Sequence, residues 1–261
     1  MLLALASALL LAAKPVPAKP VAAKPAPTFV AVIDPGHGGE KDGAISVDGK
    51  REKDIALQIA RLLKKRLEKQ GARVVLTRGG DESVELARRA AMANVEKADL
   101  FVSIHLNSAP GARAAFARGV ETYFLSADAS DASATAVAAR ENADRLAGEP
   151  EIDPADVVGG ILADLEDNAN LSESSRLAQA IHGAVVHGTR AADRGVKQAP
   201  FYVLAGARMA AVLVELGFVS HPVEGKDLAR PARQEAIANA LAAGIAAWRT
   251  PGSAPGSAPP R

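Results

Sequence analysis

Residues 30–43 read VAVIDPGHGGEKDG, and they predict the first strand of the fold and the turn that follows it. Residues 29–33 form a continuous apolar run, which is typical of a buried strand. The run ends at Asp34, and His37 then follows among three glycines. Glycines let a backbone turn tightly and come close to a ligand. Taken alone, this turn is compatible with a loose loop, a phosphate loop or a metal site.

The rest of the chain alternates between apolar strands and amphipathic helices. Strands are predicted at residues 29–33, 73–77, 100–104, 120–125, 201–204 and 211–216, and helices at residues 52–70, 83–97, 172–190 and 231–248. Ser83 is the predicted cap of the second helix. This alternation predicts a layered α/β domain with a mostly parallel sheet.

Three other segments differ from this pattern. Residues 127–171 lack strong strands and contain two predicted helical pieces, at 133–146 and 155–167, so we interpret them as an insertion in a domain spanning 28–249. Residues 1–27 begin with an apolar run of signal-peptide length and continue as Lys-Pro-Ala repeats, which predicts an exported protein with an extended linker. Residues 250–261 are predicted to be a disordered tail.

Composition limits the function classes. The chain has 261 residues, a formal net charge of +1 and no cysteine. A near-neutral charge does not favour nucleic-acid binding, and none is expected. Without cysteine there are no disulfides, no thiolate zinc sites and no cysteine catalysis. Any metal must therefore be held by histidine, aspartate or glutamate.

Three of the apolar runs carry a side chain that chemistry could use. His37 follows the first strand, His105 follows the predicted strand 100–104, and Glu215 lies inside AVLVEL. A buried glutamate is costly unless it is paired or bound to a cation. Ligands of open α/β sheets bind at the carboxyl ends of the strands. If the three strands are parallel, these side chains therefore meet at one edge.

Two histidines and a carboxylate fit a zinc site of the His2Glu type. The candidates for the third ligand are Glu40, Asp42, Glu52 and Asp54. We prefer Glu52, because it lies where the loop after His37 becomes a helix. Glu40 and Asp42 are interpreted as solvated loop acids, and Asp54 as a residue that favours the helix N-terminus. The phosphate-loop pattern G-x-x-x-x-G-K-[ST] and the helical zinc motif HExxH are absent from the sequence.

Taken together, six motifs resemble those of the zinc-dependent N-acetylmuramoyl-L-alanine amidases, in the type of catalytic domain used by cell-division amidases. The motifs are VAVIDPGHGG…REKD, LTRGGDESVELARRAAMAN, ADLFVSIHLNS, GVETYFLS, RGVKQAPFYVL and AAVLVELGFVSH. The resemblance covers about residues 30–248 and implies a mixed six-stranded sheet flanked by helices. It implies that His37, Glu52 and His105 bind Zn²⁺ and that Glu215 is the catalytic carboxylate.

The implied reaction is cleavage of the amide between the muramic acid lactyl group and L-alanine of peptidoglycan. The implied location is the periplasm or the cell wall, and we expect a monomer. Asn107 and Arg194 are candidate substrate contacts. The alternatives are a zinc peptidase or deacetylase that acts on another amide, and a non-catalytic wall-binding protein.

Some division-type members of this family carry a helical segment that covers the cleft and places a glutamate on the zinc until a partner displaces it. Residues 127–171 are the candidate for such a segment here. The blocking acid would be Glu141, Glu149 or Glu151. The resemblance therefore implies a protein activator that acts on residues 127–171.

Overall fold

The computed structural model describes residues 29–146 and 165–250, and a six-stranded sheet organises them. The strands are β1 (Val30–Pro35), β2 (Arg73–Leu76), β3 (Leu100–Asn107), β4 (Val120–Leu125), β5 (Asp193–Ala199) and β6 (Ala210–Phe218). The α-helices are α1 (Glu52–Lys69), α2 (Leu86–Val95), α3 (Ala132–Asn142), α4 (Leu165–Thr189), α5 (Glu224–Leu228) and α6 (Pro231–Arg249).

The strand order is β2-β1-β3-β6-β4-β5, and most neighbours are parallel. Strands β2, β1, β3 and β6 run in one direction. Strand β4 is antiparallel to β6 and parallel to β5. The predicted α/β class, with a mixed and mostly parallel sheet, is confirmed. The carboxyl ends of β1, β3 and β6 therefore meet at one edge, which we call the catalytic edge.

Helices cover both faces of this sheet. Helices α1, α4 and α6 pack on the face that contains Ile33, Val102 and Val214. Helices α2 and α3 pack on the opposite face, with Phe101 and Leu213. Because both faces are covered, the central strands are continuous apolar runs, as is usual for parallel sheets. Side chains alternate along a strand, so His105 and Glu215 point to the face that α2 and α3 cover.

Two sequence predictions were wrong at the level of single elements. Residues 201–204 are not a strand, because Tyr202–Leu204 forms a 3₁₀ turn. The fifth strand in chain order is instead Asp193–Ala199, whose polar sequence DRGVKQA lies at the edge of the sheet and is only partly buried. Ser83 is not the cap of α2, which begins at Leu86. Its hydroxyl instead contacts the glycine turn, at Glu40 N and Gly38 O.

Some predicted segments lie outside the described residues. These are residues 1–27, nearly all of the tail 250–261, most of the helical piece 155–167, and both Glu149 and Glu151. Within 29–146 and 165–250, no helix is both long and apolar enough to cross a membrane.

Asp34 anchors the turn that carries His37. It is fully buried and accepts hydrogen bonds from Ser103 Oγ at 2.7 Å, from Arg89 Nη1 at 2.9 Å and from Thr77. Arg89 in turn donates to the backbone oxygens of Pro35 and His37. This buried ion pair therefore fixes the backbone on which the candidate metal ligand is mounted.

We expect Asp34→Ala to lower the free energy of unfolding by about 3–5 kcal/mol, because it leaves the Arg89 charge buried without its partner. Burial alone would raise the pKa of Asp34, but Arg89, Thr77 and Ser103 hold it below its usual value. The contribution is therefore present above pH of about 4 and is lost as the pH falls further. Urea unfolding at pH 7 and pH 3 measures both effects. Glu40→Ala, in the same turn but exposed, is the matched control; an equal loss there would contradict the prediction.

Candidate metal centre and catalytic carboxylate

The glycine turn brings His37 against His105. His37 has a positive φ of 59°, which is uncommon for a residue other than glycine. Gly36 lies directly against the second histidine, since a Cβ atom there would be 2.4 Å from the His105 ring. The two rings are 4.8 Å apart between centroids in an edge-on arrangement. The missing side chain of Gly36 therefore allows the two imidazoles to share one site.

Glu52 completes a cluster with these histidines. It is the first residue of α1, and the three ligand atoms all lie within 4.8 Å of one another. Glu52 Oε1 is 3.0 Å from His37 Nε2 and 3.2 Å from His105 Nδ1. Backbone amides hold the carboxylate from behind, with Ala44 N donating to Oε2 and Leu106 N to Oε1, both at 2.8 Å. The sequence-based choice among four acids thus picked the carboxylate that lies beside both rings.

The other three candidate acids lie away from this cluster. Asp42 pairs with Lys53 at 2.8 Å, and Asp54 pairs with Arg51 at 2.8 Å. Glu40 is exposed.

The cluster fits a metal ion. His37 Nε2 and His105 Nδ1 are buried, and neither has a hydrogen-bond partner among the described residues. Two zinc bonds of about 2.0–2.1 Å at a tetrahedral angle would place ligand atoms about 3.3 Å apart, close to the 3.0 and 3.2 Å that separate Glu52 Oε1 from the two ring nitrogens. Asp144 Oδ2 accepts the Nδ1 hydrogen of His37 at 2.9 Å, which leaves Nε2 free to bind a cation.

The electrostatics also favour a cation at this position. Burial disfavours a positive charge on His105, but the carboxylates of Glu141 and Glu52 raise its pKa to about 9. The negative potential that favours a proton on this ring equally favours a divalent ion between the rings.

Glu215 lies beside the cluster on the neighbouring strand. It pairs in register with His105 and is fully buried. Its Oε1 accepts a hydrogen bond from Arg140 Nη2 at 3.1 Å, whereas Oε2 has no partner among the described residues. Burial, and then the nearby carboxylates of Glu141 and Glu52, raise the pKa of Glu215 to about 8 despite Arg140. A carboxyl with a pKa in this range can both take and return a proton near neutral pH.

Helix α3 places a second glutamate on the cluster. Glu141 Oε2 lies 3.0 Å from His105 Nδ1 and 3.5 Å from His37 Nε2, and this oxygen has no hydrogen-bond partner in the described part of the chain. Its distances to the ring nitrogens are similar to those of Glu52 Oε1. Glu141 is therefore placed where it could complete a tetrahedron of four ligand atoms.

Arg140 connects α3 to the catalytic edge at several points. It donates to Glu215 Oε1, to Asn107 Oδ1 at 3.0 Å and to the backbone oxygen of Ser108 at 3.1 Å. The space left between α3 and the two histidines is a cavity of only about 10 Å³. Such a volume holds about one water molecule. Among the described residues, α3 therefore fills nearly all of the space beside the two histidines.

Asn107 and Arg194 lie beside this centre, and both bind Glu121. Asn107 Nδ2 donates to Glu121 Oε2 at 2.7 Å, and Arg194 Nε donates to Oε1 at 3.1 Å. Arg194 also lies over the ring of Phe218, 5.0 Å from its centroid. Their role as substrate contacts stays a prediction.

Sequence reasoning missed Glu121, Arg140 and Asp144. Glu121 is fully buried and pairs in register with Glu215. The sequence contained a signal for Glu121, because a glutamate buried in the strand VETYFL needs a partner as much as Glu215 does. Arg140 and Asp144 had no such signal, because charges on an amphipathic segment are usually solvated.

Comparison with known proteins agrees with this geometry. Residues 31–247 match the family described as N-acetylmuramoyl-L-alanine amidase. The chain belongs to this family of hydrolases. It is 36% identical over 217 residues to the N-acetylmuramoyl-L-alanine amidase AmiA of Escherichia coli strain K12. This match covers 82% of this chain and 74% of AmiA.

Two further relatives show how much of the chain this amidase likeness covers. The amidase AmiC of Neisseria meningitidis serogroup B is 34% identical over 217 residues, and the match covers 82% of this chain but 51% of AmiC. The chain therefore spans about half the length of that relative. The solved CwlD amidase of Clostridioides difficile, in complex with the GerS lipoprotein, superposes with a TM-score of 0.62 at 25% identity, covering 84% of this chain and 98% of CwlD.

Proposed function

We propose that the chain is a zinc-dependent amidase that hydrolyses the bond between N-acetylmuramic acid and L-alanine in peptidoglycan. The observation that carries the proposal is the His37–Glu52–His105 cluster beside the buried Glu215, in a member of the amidase family. Peptidoglycan lies outside the cytoplasm, so the protein would act in the periplasm or cell wall, and residues 1–27 would direct its export. Its role there would be wall remodelling and the separation of daughter cells.

His37, Glu52 and His105 would hold the zinc ion, with Asp144 and the backbone amides of Ala44 and Leu106 orienting two of these ligands. When bound, zinc supplies Lewis-acid chemistry, which polarises a carbonyl oxygen and acidifies water. Glu215 Oε2 is free to accept the proton of the attacking water. The water then attacks the lactyl carbonyl carbon. As the amide bond breaks, Glu215 returns the proton to the alanine nitrogen, which leaves as a free amine, and the other product is the muramic acid carboxylate.

We further propose that α3 holds the enzyme in an inactive state. Glu141 would occupy the fourth ligand position, and Arg140 would hold Glu215 by an ion pair. Three contacts seat the helix: Asp131 Oδ1 caps its first turn, Val137 is buried in the core, and Asn142 Nδ2 donates to the backbone oxygen of Pro200. Of the three candidate blocking acids, Glu141 is the one among the described residues.

An inactive state of this kind needs a partner that moves the helix. CwlD was solved together with a second protein, the GerS lipoprotein. A protein activator for this chain would act on residues 127–171, which include α3. Its binding energy would have to exceed that of the contacts from Arg140, Glu141 and Asn142, since a ligand shifts an equilibrium only by its differential affinity.

The reaction is tested by mass spectrometry of sacculi digested with the full chain carrying Glu141→Ala, so that closure by α3 does not hide activity. We expect free stem peptides that begin with the unblocked amino group of L-alanine. Cross-bridge cleavage or loss of acetyl groups would instead show a peptidase or a deacetylase, and would contradict the proposal.

A further inference from the structure

A second, larger cavity opens at the catalytic edge, on the side of α4, α5 and α6. Its volume is about 890 Å³, and it lies between the end of α4, the start of β4 and helix α5. Strand β4 connects it to the active site, because Val120 N donates to Ala192 O at the cavity and the next residue, Glu121, pairs with Glu215. Neighbouring residues of a strand lie about 3.4 Å apart. The cavity and Glu215 are therefore connected through adjacent residues of β4.

The lining of this cavity is strongly basic. Its charged residues are Arg118, Arg190, Lys226, Arg230, Arg233, Glu224 and Asp227. Asp227 already pairs with Arg230 at 2.9 Å and with Arg233 at 3.4 Å. The carboxylate of Glu224 accepts hydrogen bonds from the backbone N–H of Gly119 at 3.1 Å and of Phe218 at 2.7 Å. Both acids are thus occupied by internal contacts.

Three basic side chains of the cavity lining are not neutralised by these two acids. Within residues 29–146 and 165–250, Arg118, Arg190 and Lys226 form no ion pair, and all three side chains are exposed. Cationic walls around a cleft attract anions. A guanidinium matches the geometry of a carboxylate, which it can bind with two parallel hydrogen bonds.

The backbone at Arg190 supports the same conclusion. Arg190 follows the last residue of α4 and has a φ of 53°. This left-handed position after a helix is usually occupied by glycine or asparagine, which adopt it without strain. An arginine is unfavourable for the backbone there, and it places a guanidinium on the wall of the cavity.

We propose that this cavity binds the carboxylates of the peptidoglycan stem peptide, with Arg118 and Arg190 as the main contacts. The inference rests on the proposed function and deepens it. A stem peptide extends from the scissile amide and carries carboxylates beyond its first alanine. Three extended residues span about 10 Å, and the proposal requires this length of peptide to pass from Glu215 over the edge of the sheet to the cavity. The site would favour substrates with free carboxylates over amidated ones.

Calorimetry of the full chain with the free tripeptide L-alanyl-γ-D-glutamyl-meso-diaminopimelate tests the inference. We expect binding to the wild type, at least 10-fold weaker binding to the double variant Arg118→Gln and Arg190→Gln, and equally weak binding of the fully amidated tripeptide. Arg113→Gln removes the same charge from the 3₁₀ helix Gly111–Ala115 before β4 and does not touch the cavity, so the affinity of this variant for the tripeptide should stay within twofold of the wild type.

Three results would overturn the inference: no binding to the wild type, equal binding to the double variant, or tighter binding of poly(glycerol phosphate) than of the tripeptide. The last would assign the cavity to a phosphate polymer. Failure of this inference can be distinguished from failure of the proposed function. A Glu141→Ala chain that releases no stem peptide from sacculi would defeat the amidase proposal, whereas release with unchanged KM when Arg118→Gln and Arg190→Gln are added to it would defeat only this inference.

Discussion

Replacing Glu215 by glutamine should lower kcat for stem-peptide release by about 10²–10⁴-fold, the usual contribution of a positioned general acid–base group. Glutamine has nearly the same shape but cannot take a proton from water or deliver one to the leaving nitrogen. The bound metal should remain, because the ligand atoms lie on His37, Glu52 and His105. The loss should therefore appear in kcat, with metal content and the unfolding transition close to those of the wild type.

The measurement is best made both in the full chain and in a Glu141→Ala background, so that closure by α3 does not hide activity. Glu235→Gln, a neutralised glutamate on the exposed side of α6, is the control and should keep full activity. If Glu215→Gln retains its rate in a folded, metal-loaded protein, Glu215 is not the proton carrier and the mechanism fails.

The second large effect concerns α3. Glu141→Ala should raise the rate of sacculus hydrolysis by roughly 10- to 150-fold without any partner, because one charged contact worth about 1.5–3 kcal/mol no longer favours the closed helix. Adding Arg140→Ala should raise it further, since Glu215 then loses the guanidinium that pairs with it. Dye release from labelled sacculi gives both rates.

Thr135→Ala is the matched control for these variants. Thr135 lies on the exposed side of the same helix and should leave the rate unchanged. Equal rates for wild type, Glu141→Ala and the double variant, at equal metal content, would show that α3 does not restrain the enzyme.

Much of the fold could be predicted from the sequence because the buried strands consist mainly of apolar residues. Runs such as LFVSI and AVLVEL can bury both faces only inside a covered parallel sheet. The edge strand DRGVKQA could not be found in this way, since one side of an edge strand stays solvated and its sequence carries no apolar run. The apolar 201–204 segment was mistaken for it because a short buried turn has the same composition.

The candidate site was partly predictable for a related reason. Glu215 and His105 interrupt apolar runs, so their burial needs an explanation that the sequence alone already demands. The position of Glu141 beside both rings could not be derived, because α3 has an ordinary amphipathic pattern and its seating depends on contacts with residues far away in the chain. Those contacts include Asn142 with Pro200 and Arg140 with Glu215. The basic cavity was likewise hidden, since Arg118 and Arg190 are distant in sequence.

The central claim is that a zinc ion on His37, Glu52 and His105 is required for peptidoglycan hydrolysis. Its most direct test is the zinc content and the dye release from sacculi of the same preparations of wild type and His105→Ala, each with and without Glu141→Ala. We predict about one zinc per chain together with hydrolysis where His105 is present, and neither where it is replaced. A metal-free chain with full activity, or a His105→Ala chain that keeps both zinc and hydrolysis, would contradict the account.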